Sequence, residues 1–176
     1  MRYTHPYNKI GDRAMAHRNG VVLIVGEDCL AQVRTLSSLA SLDYVDRVSM
    51  RTAVVASAQD WARAMFGDEP DLAERAIWHG LLRLRLSPSR SRDTLAGWRI
   101  AAVERDWIRL EADSGLVSGN LIVTTGDGRV ALTTCLSYRH VAGRVVWGVL
   151  APIHRTLAPS LVRTAESRLG RSQVAP

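Results

Sequence analysis

Lysine is almost missing from this chain: of 23 basic residues only Lys9 is one, and the rest are arginines. Set against 17 acids, they leave a net charge of +6 and a pI near 10.1. The arginines are scattered, apart from Arg83, Arg85, Arg90 and Arg92, and no helix-turn-helix, zinc-finger, KH or RNP signature accompanies them. Charge alone gives only non-specific attraction to phosphate, so no specific nucleic-acid partner is expected. Cysteine is nearly as scarce. Cys29 and Cys135 stand apart with no CxxC and no nearby histidine, which predicts neither a metal site nor a disulfide framework. The longest apolar run, Val145 to Ile153, falls well short of the roughly 20 residues that span a bilayer. Met1 to Gly20 lacks the apolar centre of a signal peptide. A cytoplasmic protein without a membrane partner is therefore expected. The glycine patterns of dinucleotide and P-loop sites are also missing, and no cofactor is expected.

What is present suffices for one core. A chain of 176 residues, 47% of them hydrophobic, predicts a single domain over 21–170, with a flexible extension over 1–20 and a tail over 171–176. The chain leaves its oligomeric state open.

Val21 to Val25 reads as a short strand, and Leu30, Val33, Leu36 and Leu39 follow at helical spacing. Asp43 to Val55 alternates as a strand. Ser57 with Asp60, and Asp71 with Glu74, each offer capping chemistry for a helix. The first helix should bury Trp61 and Met65 and stop near Gly67; the second should run to about Leu86. From Gly97 the period becomes two. Trp98, Ile100 and Ala102 share one strand face, Ile108, Leu110 and Ala112 another, and Gly126-Asp-Gly128 marks a hairpin turn. Arg144 to Val149 reads as a last strand after a reversal at Gly143. Pro152 then suits the first turn of a helix, whose stripe is Ile153, Leu157, Leu161, Ala165 and Leu169. Pro159 should bend that helix.

This order predicts an α+β fold with the helices on one face of an antiparallel sheet. A curved meander wrapped around a long C-terminal helix, with two short helices after the first strand, is the helix-grip arrangement. The residues Asp43 to Asp46 (DYVD), Ala58 to Phe66 (AQDWARAMF), Leu132 to Thr134 (LTT), Gly143-Arg144 and Pro152 to Arg155 (PIHR) carry a further likeness. In their order and spacing the segment from about Asp43 to Leu169 resembles the "domain of unknown function 2867" family, a branch of the START/polyketide-cyclase-like (SRPBCC) superfamily. Where that family has a His-Leu-Asp-x-Arg group, this chain has Leu116, Ser118 and Asn120. Where it has Arg-x-His-Asn, this chain has Ser137, Arg139 and His140. The resemblance implies a cavity between sheet and helix for a small hydrophobic or aromatic molecule. It also implies a ligand different from that of the typical member.

Trp98 and Trp147 are candidate apolar walls or core residues. His154, read as lying near a helix N-terminus, is a candidate general base, since the positive helix end favours a neutral imidazole; alternatively it and Arg155 fasten the helix to Asp43 or Asp46. Arg139 and His140 alternate, so only one can face inward. The His140 face, shared with Tyr138, is taken as the pocket side, where both could hydrogen-bond a ligand carbonyl. Glu104 lies in phase with Trp98 and Ile100, at a pocket mouth or an edge. The expected catalytic set is thus His140, Tyr138 and His154. The expected ligand contacts are Trp147, Trp98, Arg139, Glu104, Asn120 and Leu116. A cofactor-free cyclisation, dehydration or isomerisation of a natural-product-like intermediate is one function that fits, and a non-catalytic carrier is the other.

Overall fold

Which way each strand faces follows from alternation along it, and two faces result. The computed structural model describes residues 16–18, 21–25, 30–67, 82–87 and 91–174. Its strands are β1 (Ala16–Arg18), β2 (Val21–Val25), β3 (Tyr44–Arg51), β4 (Thr94–Leu95), β5 (Trp98–Val103), β6 (Trp107–Asp113), β7 (Val117–Gly126) and β8 (Arg129–Tyr138). The helices are α1 (Leu30–Leu36), α2 (Ala58–Phe66) and α3 (Val141–Val174). The strands form one curved, open antiparallel sheet in the order β1-β2-β3-β8-β7-β6-β5-β4. The chain is therefore α+β with a long C-terminal helix, as its sequence predicts.

Even-numbered residues of β3 and β8, Val48, Met50, Leu132 and Leu136 among them, join Leu121 and Val123 of β7 on the inner face. There they meet Trp61 and Met65 of α2 and Trp147, Leu150 and Val162 of α3. The outer face carries a smaller cluster, Val45, Ile122 and Cys135 beneath Val33 of α1. Helices thus lie on both faces, contrary to the expectation of one, because Val33 and Leu36 must bury against odd-numbered β3 residues.

Several local predictions hold. Ser57 caps α2: its Oγ accepts from Asp60 N–H at 3.1 Å, a contact worth about 1 kcal/mol. Gly67, at φ 68°, ends the helix with its N–H bonded to Arg63 O. The β7–β8 hairpin turns on Asp127 (φ 49°) and Gly128 (φ 66°), the left-handed pair of a type I′ turn.

Three readings are corrected. Ala16–Arg18, assigned to a flexible extension, pairs with β2 as β1; residues 1–15 lie outside the described ones. Residues 82–86 are not helical: Arg83 has φ 52°, and Leu82, Leu84 and Leu86 are buried while Arg83 and Arg85 are exposed. That alternation is period two, and it prevails over the capping signal; 71–81, the rest of the expected helix, lies outside the described residues.

The third correction is the largest. No strand spans Arg144 to Val149, for α3 begins at Val141 and runs through both Pro152 and Pro159. A short β-branched run cannot be told from a helix by composition, and the buried residues Gly143, Trp147, Leu150, Ala151, Ala158, Val162 and Ala165 have helical spacing. Gly143 is needed for close approach, not for a turn, since a Cβ there would lie 2.4 Å from Leu116 O.

Candidate functional site

On the inner face, Tyr44 and Asp46 follow the phase of Val48 and Met50, so a phenol and a carboxylate enter an otherwise apolar layer. The register sets Tyr44 opposite Leu136 and Asp46 opposite Thr134. Asp46 is only 1% exposed. Tyr44 OH donates to its Oδ2 at 2.5 Å. His154 Nε2, arriving from α3, lies 3.2 Å from the same oxygen and 3.1 Å from Thr134 Oγ1. Arg155 Nε donates to Tyr44 OH at 3.3 Å, and its guanidinium sits 5.5 Å from the Tyr44 ring centre. Trp147 closes the group, edge-on to Tyr44 at 5.1 Å and 5.3 Å from the His154 ring. Its indole Nε1 is buried with no hydrogen-bond partner among the described residues.

Burial alone would push the Asp46 carboxyl up. The His154 charge and the hydrogen bonds from His154, Tyr44 and Thr134 outweigh it and hold the carboxyl below its ordinary value. Burial, then the Asp46 charge and hydrogen bond, push Tyr44 well up, partly offset by Arg155. Asp46 is thus an ionised acceptor and Tyr44 a neutral donor. With Nε2 turned to Asp46, the imidazole's other nitrogen, Nδ1, carries no partner among the described residues, and the side chain remains 22% exposed. A buried carboxylate behind a half-open imidazole can orient the ring and stabilise the imidazolium that forms when Nδ1 takes a proton.

Of the residues singled out in the sequence, the structure brings His154 and Trp147 together here. His154 stands about three and a half turns into α3, not near its N-terminus, and the helix dipole fades within the first turn, so Asp46 sets its environment instead. The alternative of His154 and Arg155 fastening the helix to the first inner strand matches the contacts to Asp46 and Tyr44. Tyr138 lies further along the same face, half-buried, with its backbone N–H on Asp43 Oδ2 at 2.7 Å. Burial and Asp43 push its phenol up to about 12, against the pull of Arg144 and Arg155.

The others lie elsewhere. His140 is exposed and caps α3, its Nδ1 accepting from Ala142 N–H at 3.1 Å. It does not follow Tyr138 inward, because β8 ends at Tyr138. Arg139 points outward to Ser118 and Asp113. Asn120, also on the outer face, binds Ser37 Oγ at 2.7 Å and Ser38 N–H at 3.0 Å through its Oδ1, holding the end of α1. Glu104 is exposed in the β5–β6 turn. Leu116 packs at the core edge and its carbonyl receives the Arg139 and His140 N–H groups. Trp98 is buried on the inner face over Gly119, in the row that Tyr44 begins.

Sequence reasoning missed Tyr44 and Thr134 and treated Asp46 only as an anchor. Its signal was available: an acid in phase with Val48 and Met50. A cavity of about 550 Å³ lies on the opposite, outer face, lined by Thr35, Arg47, Ser49, Trp107, Thr124 and Arg129 among others. Among the described residues no three His, Cys, Asp or Glu side chains converge as metal ligands would. No protein-family model matches this chain, and no curated protein matches it.

Proposed function

We propose that the protein is a helix-grip domain that takes a small hydrophobic or aromatic molecule between its sheet and α3 and performs cofactor-free acid–base chemistry on it. Support for the fold reading comes from β3 pairing with β8, the last strand of the β4–β8 meander, and from the motif resemblance to the START/polyketide-cyclase-like superfamily. The chemistry is a cyclisation, dehydration or isomerisation. The observation that carries it is the buried Asp46 carboxylate against a His154 ring that is still part-open. His154 would remove a proton from a carbon next to a carbonyl through Nδ1 while Asp46 holds the ring at Nε2, and the proton would return to another atom of the same molecule. Tyr138 and Trp147 would line the approach. This keeps His154 from the expected catalytic set and leaves out His140, which caps α3.

A second reading is favoured by the closure of the cluster: Tyr44, His154 and Thr134 all serve Asp46, as a clamp fastening α3 would require. The protein would then be a non-catalytic carrier. Proton exchange separates the two. A panel of aryl ketones and β-diketones in deuterated water, followed by NMR, should show α-proton exchange that His154→Ala slows at least tenfold and His140→Ala leaves within about twofold. No exchange by the parent protein, with an aromatic molecule retained in native mass spectrometry, would establish the carrier.

A further inference from the structure

The first half of α3, from Val141 to Leu157, is apolar on its solvent side as well as on its sheet side, yet packed on only one. Trp147, Leu150, Ala151, Ala158 and Val162 are buried against the sheet. On the other side Val141 (74% exposed), Val145, Val149 (70%), Ile153 and Leu157 stand in solvent. They recur every four residues and so form one ridge, about 24 Å long at 1.5 Å per residue. By length and composition Val141–Gln173 could cross a membrane, but only 28% of its most apolar window is buried. A helix apolar all round is normally covered all round. Contiguous exposed apolar ridges of this kind mark interaction surfaces.

Charge selects the occupant. No Asp or Glu occurs from Val141 to Ala165; of the arginines there, Arg144 is exposed, while Arg155 is held against Tyr44 and Arg163 is part-buried. Arg139, His140 and Arg144 are exposed at the ridge's N-terminal end, where Asp113 pairs with Arg139 and Asp43 is held by the Tyr138 N–H. A second copy would present the same ridge, with no carboxylate along the helix to pair Arg144. An anionic lipid surface supplies both an apolar layer for the valines and headgroup phosphates for Arg144 and Arg139. The buried side of α3, tied to the core and to Asp46, prevents insertion across the bilayer, so the helix must lie flat. We propose that the Val141–Leu157 ridge docks the protein on an anionic membrane surface. This departs from the expectation of no membrane partner, which rested on the length of one apolar run.

Co-sedimentation with vesicles tests it. The protein should bind phosphatidylglycerol-containing vesicles, weakly bind phosphatidylcholine alone, and lose affinity as salt rises. Val149→Glu/Ile153→Glu should lower the partition coefficient at least tenfold with unchanged circular dichroism, and Arg144→Glu should lower it severalfold. Should the glutamate pair fail to fold, Val149→Ser/Ile153→Ser carries the same expectation of weakened binding. Three results overturn the proposal: no binding to anionic vesicles, equal binding by the folded double variant, or a dimer in light scattering that the same substitutions dissociate.

Discussion

Asp46 on β3 and His154 on α3 meet side by side, carboxylate to imidazole at 3.2 Å, with the acid 1% and the histidine 22% exposed at the side chain. Removing one partner of a fully buried pair costs about 3–5 kcal/mol, because the other charge is stranded. Here Tyr44 and Thr134 still serve the carboxylate, so His154→Ala should lose about 2 kcal/mol in urea unfolding. Asp46→Asn/His154→Ala should lose less than the two single changes together, by about 1 kcal/mol. Strict additivity would show that the two side chains act separately.

The same carboxylate sets the acid limb of stability. Its folded value lies below the ordinary 3.8, so the native state binds its proton less readily than the unfolded chain. The stabilisation is therefore present above about pH 4 and is lost as pH falls through the depressed folded value. Asp46→Asn should flatten the decline of the melting temperature below pH 4. A decline of unchanged slope in the variant would place the acid sensitivity on other carboxylates.

Tyr138 acts at the opposite end of the scale. Its phenol is pushed up from 10.0 to about 12 by burial first and Asp43 second, so folding favours the protonated form. That contribution is fully present below pH 10 and is lost as pH rises through about 12. Tyr138→Phe should be less sensitive to alkali across that window, and tyrosinate absorbance in the parent should show one group ionising later than the variant does. Identical alkaline titrations of the two proteins would contradict the burial of this phenol.

Elements governed by neighbours in sequence were legible from the chain. The Asp127-Gly128 turn, the Ser57 cap and the faces of β6 follow from local rules, and each appears where those rules put it. The first half of α3 was not legible, because Val145 to Val149 satisfies a strand pattern and Pro152 resembles a helix start. Only the fit of Gly143 against Leu116 and of Trp147 against Tyr44 decides for a helix. The site suffers the same difficulty: Asp46, Thr134 and His154 come from three distant elements, and register across β3 and β8 brings them together. His154 and Trp147 could be nominated by type, but their partners could not.

Two glycines of α3 separate the helix from the strand reading by stability alone. At Gly143 a Cβ would meet Leu116 O at 2.4 Å and Val117 Cγ1 at 2.8 Å; the obstacle is backbone, so the first turn of α3 must lift from the β6–β7 turn. Such overpacking costs about 1–3 kcal/mol. At Gly148 nothing lies within 4 Å, and alanine in an exposed helix interior is favoured over glycine by about 1 kcal/mol. Gly143→Ala should therefore lower the melting temperature and Gly148→Ala raise it. In a hairpin with a strand after it, Gly148→Ala would bring no helical gain, so a neutral or lowered melting temperature there would refute a helix beginning at Val141. The two substitutions make the same chemical change five residues apart, so the difference between them reports what surrounds each position.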